Sequence, residues 1–83
     1  PNPFNPATTL SYGLQEASQV VLSIYDLKGR LVSTLVNESR DAVYHTAIWN
    51  GTDQNGRPVG AGMYIYRIQA GSYGQARKMI LLK

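Results

Sequence analysis

The 83-residue chain has no cysteine and only one tryptophan, one phenylalanine and one histidine. Without cysteine there is no disulfide staple, thiol nucleophile or thiolate zinc site, although the compartment stays open on that count. No apolar run approaches the roughly 18 residues of a membrane-spanning helix, and no signal-peptide pattern is present. Charge is sparse at 16% of residues, with 8 basic against 5 acidic side chains and a net charge of +3. The two signs are interspersed, which is not the clustered cationic stripe of a nucleic-acid binder, so no nucleic-acid partner is expected. A lone histidine, His45, with no nucleophile elbow elsewhere supplies no catalytic triad, and the chain reads as a non-enzyme with no cofactor.

A hydrophobic fraction of 43% is enough for one packed domain. Runs rich in Val, Ile, Leu, Thr and Tyr alternate with Gly, Asn and Asp clusters at short intervals, the pattern of an all-β sandwich or barrel. Strands are expected over residues 8–14, 19–26, 30–36, 43–50, 62–70 and 75–82, with a short extra one near 57–59. In QVVLSIYD the period-two alternation puts Val20, Leu22 and Ile24 on one face. In MYIYRIQA the same alternation assigns Tyr64, Tyr66, Ile68 and Ala70 inward, with each tyrosine hydroxyl requiring a partner at the rim. RLVSTLVNES breaks the rule: Leu31, Val32, Leu35 and Val36 fit a helical period as well as a strand. Strand is favoured because Asp26 and Gly29 in YDLKGRLV make a tight reversal just before it.

The leader PNPFNP places Pro1, Pro3 and Pro6 where neither a helix interior nor a central strand can accept them. Residues 1–7 are therefore expected to be a connector and residues 8–83 a single β-sandwich, and a chain beginning at Pro1 rather than Met reads as a module excised from a longer parent. The loop WNGTDQNGRPVGAG carries two Asn-Gly pairs and must reverse at least once. Asn50, Asp53 and Asn55 in it form a candidate calcium loop. The bidentate glutamate that completes such a loop is missing, so no bound metal is expected. Trp49 reads as a core anchor rather than a sugar-stacking platform; Tyr12, Tyr25 and Tyr73 are the other aromatics a carbohydrate-binding face would draw on.

The ordered blocks PNPFNPATTLSYGL, VVLSIYDLKGRLVSTLV, YHTAIWNGTDQNGRPVGAGMYIYRIQAG and KMILLK together resemble the type A C-terminal sorting domain of the bacterial type IX secretion system. The blocks span essentially the whole chain. A flagellar hook-capping type of immunoglobulin-like domain shares the leader and the WNG block and is the alternative of the same fold. The resemblance implies an immunoglobulin-like antiparallel sandwich of about seven strands and a role without chemistry. It implies that an outer-membrane translocon reads the domain and carries an N-terminal cargo domain to the cell surface by way of the periplasm. A sortase-like peptidase then removes the domain and links the cargo to lipopolysaccharide, or the domain is retained. Carried onto this chain, the family pattern falls on Pro1 to Pro6, on Asp26, Gly29 and Arg30, on Trp49, Asn50, Gly51, Asp53, Gly56 and Arg57, and on Gly62, Tyr64 and Tyr66. It ends on Lys78, Met79, Ile80, Leu81, Leu82 and Lys83, the residues expected to offer a strand edge to the receptor. An accessory module that binds carbohydrate or links domains in an extracellular enzyme is the other function weighed.

Overall fold

The computed structural model describes residues 8–82; the leader at 1–7 and Lys83 lie outside the described residues. Six strands follow one another: β1 (Thr8–Leu14), β2 (Ser18–Tyr25), β3 (Leu31–Arg40), β4 (Val43–Trp49), β5 (Gly62–Ala70) and β6 (Tyr73–Leu81). They form a two-stranded sheet, β1-β4, and a four-stranded sheet in the order β3-β2-β5-β6, with every pairing antiparallel. The expected immunoglobulin-like sandwich is present. In place of the short extra strand near 57–59 there is one isolated bridge, Thr52 to Pro58.

The core follows from the alternation. Val20, Leu22 and Ile24 of β2 are fully buried, and Tyr64, Ile68 and Ala70 of β5 share their face, with Tyr66 half-buried beside them. Leu10 and Leu14 of β1 and Trp49 of β4 come down on that layer from the small sheet, and Val36 and Leu81 close it from the two outer strands. Apolar area removed from water at these positions is the main term holding so small a domain together.

β3 is a strand, and its irregular spacing has a local cause. Leu22 pairs with Val36 but Ser23 pairs with Thr34, so Leu35 is an inserted residue; Ile24 pairs with Ser33 but Tyr25 with Leu31, so Val32 is another. Two β-bulges in one strand break the period-two rule at the positions where the sequence imitates a helix. The strand also runs past its expected end, to Arg40: Asn37, Glu38 and Ser39 pair with Val21, Val20 and Gln19 but stay exposed, so polar composition hides them.

Tyr64 makes the corner contact common in immunoglobulin-like sandwiches: its hydroxyl donates to the Gly60 carbonyl at 2.6 Å, four residues upstream. This satisfies the rim-partner requirement of an inward tyrosine and pins the approach to β5. Replacing Tyr64 by phenylalanine keeps the ring and removes the bond. A loss of about 1 kcal/mol is expected, read as a melting temperature lower by roughly 4–8 °C with an unchanged far-UV spectrum. An unchanged melting temperature would show that the corner contributes nothing.

Candidate functional site

Strand directions sort the loops into two ends. Tyr25 pairs with both Leu31 and Ile65, Thr8 with Trp49, and Gly62 with Leu81. The β2–β3 turn, the β4–β5 loop, the start of β1 and the end of β6 therefore share one end, while the opposite end carries only short connections near residues 15–17, 41–42 and 71–72. At the first end the chain builds the same turn twice. Asp26-Leu27-Lys28-Gly29-Arg30 and Asp53-Gln54-Asn55-Gly56-Arg57 share the spacing Asp-x-x-Gly-Arg. Asp26 N–H donates to the Arg30 carbonyl and Gly29 N–H to the Asp26 carbonyl, both at 3.0 Å, and the equivalent pair links Asp53, Arg57 and Gly56 at 2.9 and 3.0 Å. Gly29 at φ 83° and Gly56 at φ 79° occupy the left-handed position that closes such a loop.

The aspartates complete each turn. Asp26 Oδ1 accepts from the amides of Lys28 and Arg30, both at 2.9 Å, and Oδ2 from Arg30 Nε at 2.9 Å. Asp53 Oδ1 accepts from the amides of Asn55 and Arg57 at 2.9 and 3.0 Å, and Oδ2 faces Arg57 Nε at 3.3 Å. The Arg30 amide is the main reason the Asp26 carboxyl sits below its ordinary value of 3.8, with partial burial opposing it and the guanidinium and the Lys28 amide adding to it. For Asp53 the Arg57 amide leads in the same direction. Glu38 is held below 4.5 chiefly by the Arg40 guanidinium 2.8 Å away.

These directions fix a sign. A carboxyl that binds its proton more weakly in the folded chain than in the unfolded one contributes stability that is complete above the unfolded value and declines as pH falls through the lower folded value. Melting temperature is expected to hold from neutral pH to about pH 5 and to fall below about pH 4. A D26N/D53N double variant should start lower and lose part of that acid slope; an unchanged slope would remove the two turns from the explanation.

Two of the three residues of the candidate calcium loop, Asn50 and Asp53, have their side-chain oxygens engaged within the loop. Both Asp53 oxygens belong to the turn, and the Asn50 side-chain oxygen accepts from Thr52 Oγ1 at 2.6 Å. Among the described residues no group of three or more His, Cys, Asp or Glu side chains converges as a metal site. His45 is half-buried, stacked on Tyr12 with ring centroids 5.5 Å apart, and its Nε2 meets the Asp41 carbonyl oxygen. Trp49 is 1% exposed, its indole N–H donating to the Thr52 carbonyl at 2.9 Å and its ring meeting Tyr64 edge-on at 5.1 Å. That burial removes it from any carbohydrate-stacking face.

Of the residues expected to form a sorting signal, Lys78 to Leu81 lie on β6 and Leu82 follows it; among the described residues β6 is an edge strand that pairs only with β5. Lys78, Ile80 and Leu82 are exposed, Met79 is half-buried and Leu81 is a core residue, while Lys83 falls outside the described residues. The sequence reading missed two features. One is the doubling of the Asp-x-x-Gly-Arg turn, for which the repeated spacing was a sufficient signal. The other is an outer face on β4 with Tyr44 and Ile48 exposed, for which the alternation from Trp49 was the signal.

Comparison with known proteins corrects the family. The FlgD Ig-like domain family model matches residues 5–74. A crystal structure of FlgD from P. aeruginosa matches with a TM-score of 0.71 and 24% identity, over 89% of this chain and 58% of that one. The chain thus spans little more than half the length of that structure, and the likeness supports the shared fold. No curated protein matches in sequence. The type IX sorting assignment, with its translocon, sortase-like peptidase, cargo and lipopolysaccharide attachment, is overturned by the family match, and the carbohydrate-binding alternative has no support either. The physical reason for the error is visible in the blocks that suggested it. Asp26, Gly29, Arg30, Asp53, Gly56 and Arg57 build turns, and Trp49 and Tyr64 fill the core. Such residues report a fold, and a fold is shared by domains of different function.

Proposed function

The chain belongs to the FlgD Ig-like domain family, and on that premise we propose that it is a non-catalytic, protein-contacting module serving flagellar hook assembly. The match over residues 5–74 carries the proposal. The build of the domain is consistent with it: polar side chains at the loop-rich end satisfy one another in rigid turns, a scaffold arrangement rather than one poised for reaction. In this reading residues 1–7 connect the module to the rest of its parent protein, and the module works at the cell surface, where a hook is built. The outer edge of β6, unpaired among the described residues and flanked by exposed Lys78 and Ile80, supports contact with a neighbouring subunit by strand addition.

Binding of the full-length parent protein to purified hook subunits, measured with and without residues 8–82, tests the proposal. Loss of binding on removal of the module is the expected result. Binding that is indifferent to the module, with the remainder of the protein folded, would contradict it.

A further inference from the structure

The four-stranded sheet turns one face to the core and the other away from β1 and β4. Because Val20, Leu22 and Ile24 point inward, Val21, Ser23 and Tyr25 point outward, and the residues paired directly with them share that outer face. Tyr25 pairs with Leu31 and with Ile65, Ile65 with Lys78, and Met63 with Ile80. Five apolar side chains thus form two adjoining rows toward the loop-rich end. Leu31, Met63 and Ile80 are 46%, 40% and 59% exposed, and Tyr25 and Ile65 are half-buried between them. Beside the rows Val21, Ser23, Tyr25, Arg67 and Gln69 line a depression of about 220 Å³. The Ser23 and Thr34 hydroxyls meet at 3.3 Å, so the buried hydroxyl beneath it is already partnered.

The charge on this face is of one sign. Arg67, paired with Ser23, and Lys78 are exposed on it, and neither belongs to an ion pair among the described residues; Arg67 Nη2 donates to the Gln69 side-chain oxygen at 3.3 Å. None of the 5 acidic side chains of the chain shares the face. Asp26 and Asp53 are held in the two turns, Glu16 and Asp41 sit in connections at the opposite end, and Glu38 pairs with inward-facing Val20 and is engaged by Arg40. The centre of the face belongs to β2 and β5, each hydrogen-bonded to a strand on both sides. A partner meets side chains there rather than a backbone edge, and has to bring a backbone whose own hydrogen bonds are complete. A helix does so, and a helix laid on a sheet is a standard way to cover an apolar sheet face.

We infer that this face docks an acidic amphipathic helix of a partner protein, with the apolar stripe of the helix on Tyr25, Ile65, Met63 and Ile80, one apolar side chain in the depression, and carboxylates beside the stripe reaching Arg67 and Lys78. Burial of the stripe supplies the affinity, and the two cations decide which helices are accepted. The inference goes beyond the hook-assembly reading and stands without it; it uses the outer face of β6 and not its edge.

The probe is a soluble helical peptide of about five turns, with a leucine stripe flanked by glutamates, titrated into the 83-residue chain and followed by amide chemical shifts. Shifts centred on Tyr25, Ile65, Arg67 and Ile80 are the expected result. The same peptide with lysine in place of each glutamate should bind about tenfold more weakly at low salt, and the difference should shrink as salt is added. In the R67E/K78E double variant the preference should reverse, with the lysine peptide binding better than the glutamate peptide. Both peptides can be compared on the unaltered chain, so the matter is decided even if the double variant unfolds. Shifts confined to the β1–β4 sheet, equal affinity for the two peptides, binding to phosphatidylserine-containing vesicles in place of the peptide, self-association that the peptide does not displace, or shifts that arise only once residues 1–7 are removed would each overturn the inference.

Discussion

Replacing Trp49 by alanine is expected to lower the stability of this domain by about 3–5 kcal/mol, the range for a large aromatic removed from a packed core. A chain of this length has roughly 4–12 kcal/mol in total, so the variant should melt about 15–30 °C lower or fail to fold at 37 °C. The size follows from three interactions that alanine removes together. The indole is 1% exposed at the end of β4, meets Tyr64 edge-on at 5.1 Å, and donates to the Thr52 carbonyl at 2.9 Å, which ties the start of the long loop to the core. Phenylalanine at the same position keeps much of the area but not the bond and should fall between the two. Were Trp49 a surface platform, alanine would change stability by no more than about 0.5 kcal/mol.

Leu22 gives the second large effect. It lies at the centre of β2, which like β5 has a partner strand on both sides, and is 1% exposed between the two sheets. Leucine to alanine there should lower stability by about 2–5 kcal/mol through lost transfer energy and the cavity left behind. Its neighbour Val21 points to the other face and is half-buried, so valine to alanine at that position should change stability by about 1 kcal/mol or less. Urea unfolding reads the pair directly, as a large shift in midpoint for the first variant and a small one for the second, with slopes unchanged. Similar shifts for both would contradict the face assignment on which the whole sandwich rests.

Alternation made most of the fold legible. Strands bounded by Gly, Asn and Asp clusters, and tyrosines alternating along MYIYRIQA, identify β2 and β5 and their inward faces because side chains on a strand can only point two ways. What alternation does not reveal is the pairing of one strand with another. The inserted residues Val32 and Leu35 make β3 look helical until its register against β2 is known, and the polar end of β3 carries no apolar signal at all. The family assignment failed for a related reason. Residues selected for turns and core are shared among immunoglobulin-like modules, whereas the residues that separate their functions lie on surfaces and edges, where the physical demand on each position is weak.

The functional reading shares its origin with the corrected family. A domain stabilised by satisfied turns, with Arg30 and Arg57 side chains 72% and 73% exposed beside their aspartates, gains little from those ion pairs as such. Their effect is to fix the shape of the loop-rich end, and a fixed shape is what a structural contact requires.

The most direct measurement is a domain exchange: residues 1–83 in place of the immunoglobulin-like domain of P. aeruginosa FlgD, with assembled hooks counted against a strain in which that domain is deleted. More hooks than in the deletion strain is the expected result. A folded, stable chimera that assembles no more hooks than the deletion would contradict a role in hook assembly.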